Sequence, residues 1–521
     1  MPCFASSFNY SADPLLFRPQ LRRLFCCRII LSPIEGTVYG SSDAVHLLFE
    51  CQLQRQVVHI GVRLPSFLGG IPLSYLVLGG ILQYRPRVLD AWVNSHIATS
   101  RKCFEKKRTI EQRRFHVDLP ALLEGKALSA VRPEDLRWCF ESERIYVLIS
   151  GEGGAGKTSL ACQICKWAMN ADPKLRLTKH VMLPIFLEHQ HIDVEEKKDA
   201  LMESIAAELW YIIGTPEAPS LALVEQLLKS RRILLVVDGF SEMTEAKRNT
   251  IQPGKPDFPG RAMLLTSRLD ERLPSVDLTV LRPMRVQGDH LSTFMEAYLV
   301  LRNKKVLFSD VEYFDYLRRL SLLVQGRDIT VLLAKLYADQ VVAVKEGISR
   351  QTLPENVPDL MLDYLNELNV KVGKKRIDDK LMHRAGKIVA WECLKQTFRS
   401  MPASVDRVEK ELQCISGDSS QLLEFLESEL RIVQTVGSGR DMINFTLDPL
   451  AEYLASLWLV ETFGPDERVW QTVLAEMDAS PGAPDTIAGF ILALRDCCTV
   501  KGKDFRVPTF VANELSVRIS Q

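Results

Sequence analysis

Between Arg144 and Met284 short apolar runs take turns with stretches of helical spacing. RIYVLIS (Arg144–Ser150), HVMLPIFLEH (His180–His189), ILLVV (Ile233–Val237) and AMLLTSR (Ala262–Arg268) hold consecutive apolar residues, and DLTVLRPM (Asp277–Met284), broken by Thr279 and Arg282, reads as the last strand. A strand with one wet face alternates polar and apolar residues, whereas an unbroken run fits a strand covered on both sides. Such runs alternating with helices predict an α/β fold, with a parallel five-stranded sheet between two helical layers. Further on the pattern changes. Residues 304–440 are helix-rich, with spacings such as Leu317, Leu320 and Val324 that suit packing. ASPGAPD (Ala479–Asp485) reads as a turn or linker before a last helix.

The longest uncharged stretch lies earlier. LPSFLGGIPLSYLVLGGILQY (Leu64–Tyr84) is just long enough to cross a bilayer core. Arg85 and Arg87 follow at once, then Arg101, Lys102, Lys106, Lys107 and Arg108. By the positive-inside bias, a span here leaves everything C-terminal in the cytoplasm, anchored to the inner face of the membrane. Pro65, Pro72 and four glycines weaken a helix and fit a buried strand–loop–helix equally well, so both readings stand. The segment lies too far from Met1 for a cleavable signal peptide. Residues 1–63 show no clear period and carry no functional reading. RKCFEKKRTIEQRRF (Arg101–Phe115) is dense in charge but has no interleaved aromatic platform for bases. It reads best as a solvated helix face, with anionic lipid as the other use of such a run.

Composition narrows the field. A chain of 521 residues, 46% hydrophobic and 25% charged, suits two to four globular domains with real cores. Lys+Arg and Asp+Glu are both 65, so no bulk field draws the chain toward nucleic acid, and no specific nucleic-acid partner is expected. The twelve cysteines are thinly spread. Cys162 and Cys165 form a C-x-x-C with no second pair at zinc-ligand spacing, and read as small buried helix residues in a reducing compartment.

Candidate chemistry begins where the first apolar run ends. Gly151-Glu152-Gly153-Gly154-Ala155-Gly156-Lys157-Thr158 matches G-x-x-x-x-G-K-[ST] at every fixed position. Glycines let the backbone bend until its N–H groups converge on phosphate oxygens. A helix opening near Ser159 adds the positive end of its dipole. Lys157 is placed to reach the β- and γ-phosphates and Thr158 to ligate Mg²⁺. A plain glycine turn would not call for Lys-Thr at the helix start. The third run ends in Asp238, at a strand tip where open α/β sheets bind ligands, and Asp238 is expected to support Mg²⁺ through water. Glu242 is the nearest carboxylate to polarise an attacking water. The fourth run ends in Thr266-Ser267-Arg268, and Arg268 is expected to sense a γ-phosphate.

GEGGAGKTSL, LLVVDGFSE, LLTSR and LRPM followed by FMEAYL, in this order, resemble the NACHT NTPases. These belong to the signal-transducing STAND class, related to animal NOD-like receptors and to bacterial defence and signalling ATPases. RDITVLLAKLYADQ (Arg327–Gln340) looks like the helical segment such proteins place after the sheet. FTLDPLAEYLASLWLVE (Phe445–Glu461) looks like the stretch that closes their winged-helix region, and RPRVLDAWV (Arg85–Val93) resembles a segment ahead of the NTPase in some bacterial members. The resemblance implies this division: N-terminal segment, 1–63; apolar segment, 64–84; helical linker, 85–144; P-loop NTPase, 145–300; helical domain, 301–370; winged-helix-like domain, 371–462; C-terminal helical segment, 463–521.

It also implies a slow ATPase acting as a switch, closed over ADP and open, self-associating, with ATP, under an upstream ligand and a downstream effector that the residues do not name. Three positions depart from the family pattern. Ser241 stands where a second acid often precedes the Glu, which puts efficient hydrolysis in question. Leu447 stands at the winged-helix histidine that contacts the ADP phosphate, and an apolar side chain cannot donate that bond. Val331 replaces a proline that lines the adenine pocket. No tetratricopeptide, leucine-rich or WD array is present to serve as a sensor. The alternative is a remodelling or motor ATPase of AAA+ type, which shares the loop but calls for a trans-acting arginine and ring assembly.

Overall fold

A computed structural model describes residues 84–520 except 112, 189–199, 244, 257, 270, 272, 287, 325–328, 348–352 and 437–438. It also gives the backbone of an antiparallel meander, β1 (Cys27–Ile30), β2 (Ala44–Cys51) and β3 (Gln56–Arg63). The apolar segment 64–84 lies, but for its last residue, outside the described residues. Among the described residues no helix is long and apolar enough to cross a membrane.

Helix α1 (Pro86–Lys106) leads to a short hairpin, β4 (Ala121–Leu123) and β5 (Lys126–Leu128), and then to α2 (Pro133–Glu141). The five apolar runs form β6 (Ile145–Ser150), β7 (Leu183–Glu188), β8 (Ile233–Asp238), β9 (Ala262–Ser267) and β10 (Thr279–Pro283). Helices α3 (Lys157–Ala168), α4 (Ala200–Ile213) and α5 (Leu221–Lys229) alternate with the first of these strands. The sheet runs β5-β4-β10-β6-β9-β8-β7, with β10 to β7 all parallel. The predicted five-stranded parallel sheet is therefore present, but two strands wider, because β4 pairs antiparallel with β10. Residues 85–144, expected as a helical linker, thus carry a short hairpin as well as helices. Three-residue strands are too short to register as a pattern.

Both faces of the sheet are dry, as the unbroken runs require. Ile145, Val147 and Ile149 pack with Leu160, Ile164, Leu136 and Phe140 on one side. Tyr146 and Leu148 pack with Leu89, Val93, Ile205 and Leu209 on the other. Cys162 and Cys165 are buried in α3. The charge-dense run stays close to the surface but is tied down. Phe104 is fully buried, the Arg101 guanidinium donates to the Met169 carbonyl at 2.6 Å, and Lys107 pairs with Glu208.

The second half is helical and shares one core. It comprises α6 (Gly288–Leu301), α7 (Asp310–Leu323), α8 (Val331–Lys345), α9 (Val357–Lys371), α10 (Asp379–Leu394) and α11 (Val405–Leu412). After them come α12 (Asp448–Phe463), α13 (Glu467–Asp478), α14 (Ala488–Phe505) and α15 (Thr509–Ser520). Two helices thus follow the 479–485 turn where one was expected. The strand β11 (Ala403–Ser404) lies between α10 and α11. It pairs with a hairpin, β12 (Val433–Val436) and β13 (Met442–Phe445). Helix, strand, helices and hairpin follow in this order and are closed by α12.

Nearly every residue of α12 from Pro449 to Val460 is buried, against α10 and α14. An aromatic chain locks these helices together. Trp391 stacks on Trp458 at 5.2 Å, Trp458 meets Phe463 edge-on, and Phe463 meets Trp470 edge-on at 5.7 Å. Trp470 is fully buried and its indole N–H donates to the Gly464 carbonyl at 3.0 Å. Truncation there leaves a cavity and orphans that carbonyl. Trp470→Ala is expected to cost about 3–5 kcal/mol, read as a lower urea midpoint with the sheet's secondary structure retained before the transition.

Candidate nucleotide-binding site

The loop Gly151–Gly156 joins the tip of β6 to α3, and parallel register brings the tips of β8 and β9 beside it. Gly154 and Gly156 have φ of 75° and 98°, a backbone that side-chain-bearing residues rarely adopt. Space matters as much. A Cβ on Gly153 would come 3.0 Å from Asp448 Cβ, and one on Gly154 would come 3.0 Å from Pro449 Cγ and 3.2 Å from Leu332 Cβ. The Leu332 amide donates to the Gly154 carbonyl at 3.2 Å. The first turns of α8 and α12 therefore clasp the loop directly. Ala155 is buried beneath it, and Ser159 lies in the first turn of α3.

Lys157 leaves the start of α3 and folds back over the loop, its Nζ donating to the Glu152 carbonyl at 2.7 Å. Thr158 Oγ1 donates to Asp238 at 3.0 Å. Thr266 Oγ1 donates to the same carboxylate at 2.6 Å while accepting from the Gly239 amide at 2.8 Å. A hydroxyl, a strand-tip carboxylate and an ammonium thus meet within one loop's breadth. Oxygen donors of this kind suit Mg²⁺, which keeps most of its waters and takes few protein ligands. The Thr158–Asp238 pair fits that role.

The expected sensor lies one strand away. The Arg268 backbone amide donates to Ser241 Oγ at 3.0 Å, so the serine that departs from the family pattern fixes the arginine's position. The Arg268 side chain is 9% exposed and pairs with Asp448 at 2.7 Å. Ser267 turns instead to Glu271, at 2.9 Å. Glu242 ends the turn Phe240–Glu242, and its side chain lies outside the described residues. The Glu152 side chain forms a bidentate pair with Arg285, both contacts at 2.5 Å. Leu447, the position expected to lack a lock, packs against the C-terminal core. The contact with the loop is made by the next residue, Asp448. Val331 and Leu119 lie within 4.0 Å and 3.6 Å of a notional Cβ on Gly156, so both pack on the last glycine of the loop.

Beyond the expected residues, Asp448, Glu452 and Arg285 belong to the site. Asp448 looks like any acid in the first turn of a helix before Pro449, and Glu452 like any acid one turn on. No local spacing marks them: Asp448 finds its partner Arg268 in a different domain, and Arg285 meets Glu152 133 positions away in sequence. Glu452 lines a cleft beside Gly153, with Thr330, Arg285 and Gly489. Burial, then the nearby Asp448 carboxylate, pushes its carboxyl up to about 8, against the opposing pull of Arg268.

Residues 145–296 match the family model of the NACHT domain, and residues 479–520 match that of the NACHT C-terminal Helical domain 4. No curated protein matches the chain.

The Glu452 carboxyl generates a pH dependence of definite sign. Below its ordinary 4.5 both folded and unfolded chains are protonated, and above about 8 both are ionised. In between, the folded chain holds a proton that the unfolded chain releases, so stability falls as pH rises, by at most ~1.4 kcal/mol per unit. Urea midpoints across this window should slope less for Glu452→Gln than for the wild type.

Proposed function

We propose that this chain, whose residues 145–296 match the NACHT domain and 479–520 its C-terminal helical domain, works as a slow ATP-dependent switch of the signal-transducing class. In this reading ADP goes with the closed arrangement, and ATP with an open one that self-associates. One observation carries it: the starts of α8 and α12 sit on Gly153 and Gly154, so what the loop holds and how the second half is placed are coupled. A pure hydrolase has no use for burying its phosphate loop under two distant helices.

Within that reading the loop amides from Gly151 to Ser159 and the Lys157 ammonium hold the phosphates. Thr158 and Asp238 hold Mg²⁺, which supplies charge neutralisation on the phosphates when bound. Glu242 orients water, and Arg268 reads the γ-phosphate. Slow turnover follows from Ser241, a hydroxyl committed to the Arg268 amide at 3.0 Å, standing where a second acid would assist. The described cysteines form no disulfide, as with buried Cys162 and Cys165 in α3, which suits a cytoplasmic location. Anchoring by 64–84 to the inner face of a membrane belongs to the same proposal.

Lys157→Ala should weaken ADP and ATP binding by about 100-fold in a calorimetric titration, with circular dichroism unchanged. Wild-type protein should co-purify with ADP and elute larger on gel filtration after loading with an ATP analogue. Undiminished nucleotide affinity in the lysine variant would remove the site assignment.

A further inference from the structure

Arg268 lies at the tip of the strand next to the loop strand, and one anion is already on it. Asp448, the first residue of α12, contacts its guanidinium at 2.7 Å. The same side chain is seated on the loop, because a Cβ on Gly153 would come 3.4 Å from Asp448 Oδ2. Two further cations beside the loop are engaged, Lys157 by the Glu152 carbonyl and Arg285 by the Glu152 carboxylate, and Arg399 lies near enough to Arg268 for the two guanidinium charges to oppose each other. Glu452, one turn further along α12, keeps its proton at neutral pH and adds no competing charge.

We propose that Asp448 is the residue that makes the closed form selective for a nucleoside diphosphate over a triphosphate, by holding its carboxylate on Arg268 against Gly153. The proposal rests on the switch reading and deepens it. A third phosphate brings negative charge that Arg268 and Lys157 are suited to bind. In the closed arrangement that charge would have to share a nearly buried guanidinium with a carboxylate. Like charges close together in a poorly solvated site repel strongly, and one of them has to leave. A diphosphate, which lacks the third group, leaves the Asp448–Arg268 pair intact. Asp448 is also fixed to a buried helix, so its departure from Arg268 moves α12, and the nucleotide's charge becomes a change in domain placement.

The pair has a simpler structural reading, a fastening between two domains that ignores the nucleotide. The two readings differ in a binding ratio. In the full-length protein, the affinities for ADP and for a non-hydrolysable ATP analogue are measured by calorimetry with Mg²⁺. The near-isosteric Asp448→Asn should raise analogue affinity roughly tenfold, with a much smaller change for ADP. Asp448→Glu keeps the charge and should keep the wild-type preference, which separates charge from shape. Arg268→Ala should gain nothing for the analogue, because it removes the partner of both anions. Equal changes for both nucleotides in Asp448→Asn, or no change, overturn the proposal and leave the switch reading standing. A wild-type protein that binds neither nucleotide sinks both. If Asp448→Asn does not fold, loss of the ADP preference in Asp448→Glu overturns the proposal and its retention supports it.

Discussion

Between Gly153 and Asp448 there is no room for an ordinary side chain, since a β-carbon on the glycine would approach that of the aspartate to 3.0 Å. This closeness ties the two halves of the molecule together. The sheet domain presents a loop of glycines because phosphate binding needs bare backbone amides. The helical half uses the same bareness to dock, with Pro449 and Leu332 filling the space over Gly154. One sequence feature thus serves two contacts, and any larger residue at 153 or 154 disturbs both.

Charge decides how that docking is held. An ion pair at the surface contributes little, and a buried one must offset a large desolvation cost. Arg268 and Asp448 lie between these limits, at 9% and 23% exposure, with the Arg268 backbone fixed by Ser241. Such a pair adds modest stability but strong geometric preference. A hydrophobic contact of equal area would hold the halves as well and would be indifferent to phosphate charge. The Glu452 carboxyl, one turn along α12 from Asp448 and pushed up to about 8, adds little negative charge there at neutral pH.

The sheet and the loop were legible because they are local. Four apolar runs and the broken segment DLTVLRPM identified five parallel strands, and the spacing of glycines, Lys157 and Thr158 located the loop within one turn of α3. Asp238 was legible for the same reason, since it ends a buried run. The β4–β5 hairpin was not, because strands of three residues carry no period and borrow their order from β10. Nor was the role of Ser241, an ordinary turn residue until the Arg268 amide is brought beside it by β8–β9 pairing. Asp448 was hidden behind its neighbour. The resemblance drew attention to Leu447, whose apolar side chain argues against a lock, while the contact passes to the next residue. Side chains that act across domains leave no periodic trace.

Displacing Asp448 cannot be a local event. Helix α12 is buried along most of its length, and the Trp391–Trp458–Phe463–Trp470 chain fastens it to α10 and α13. Packed interiors do not deform by small continuous steps, so such a unit keeps its shape and moves as a body or stays. The loop side is stiff too, with Gly154 bonded to the start of α8 and Glu152 held by Arg285. Among the described residues the loop meets the starts of α8 and α12 through the Arg268–Asp448 ion pair, the Leu332–Gly154 hydrogen bond and close carbon contacts, which leaves little intermediate ground. For the proposed switch, that is the mechanical condition under which a single added charge, placed where Arg268 can take it, would have two outcomes rather than a graded response.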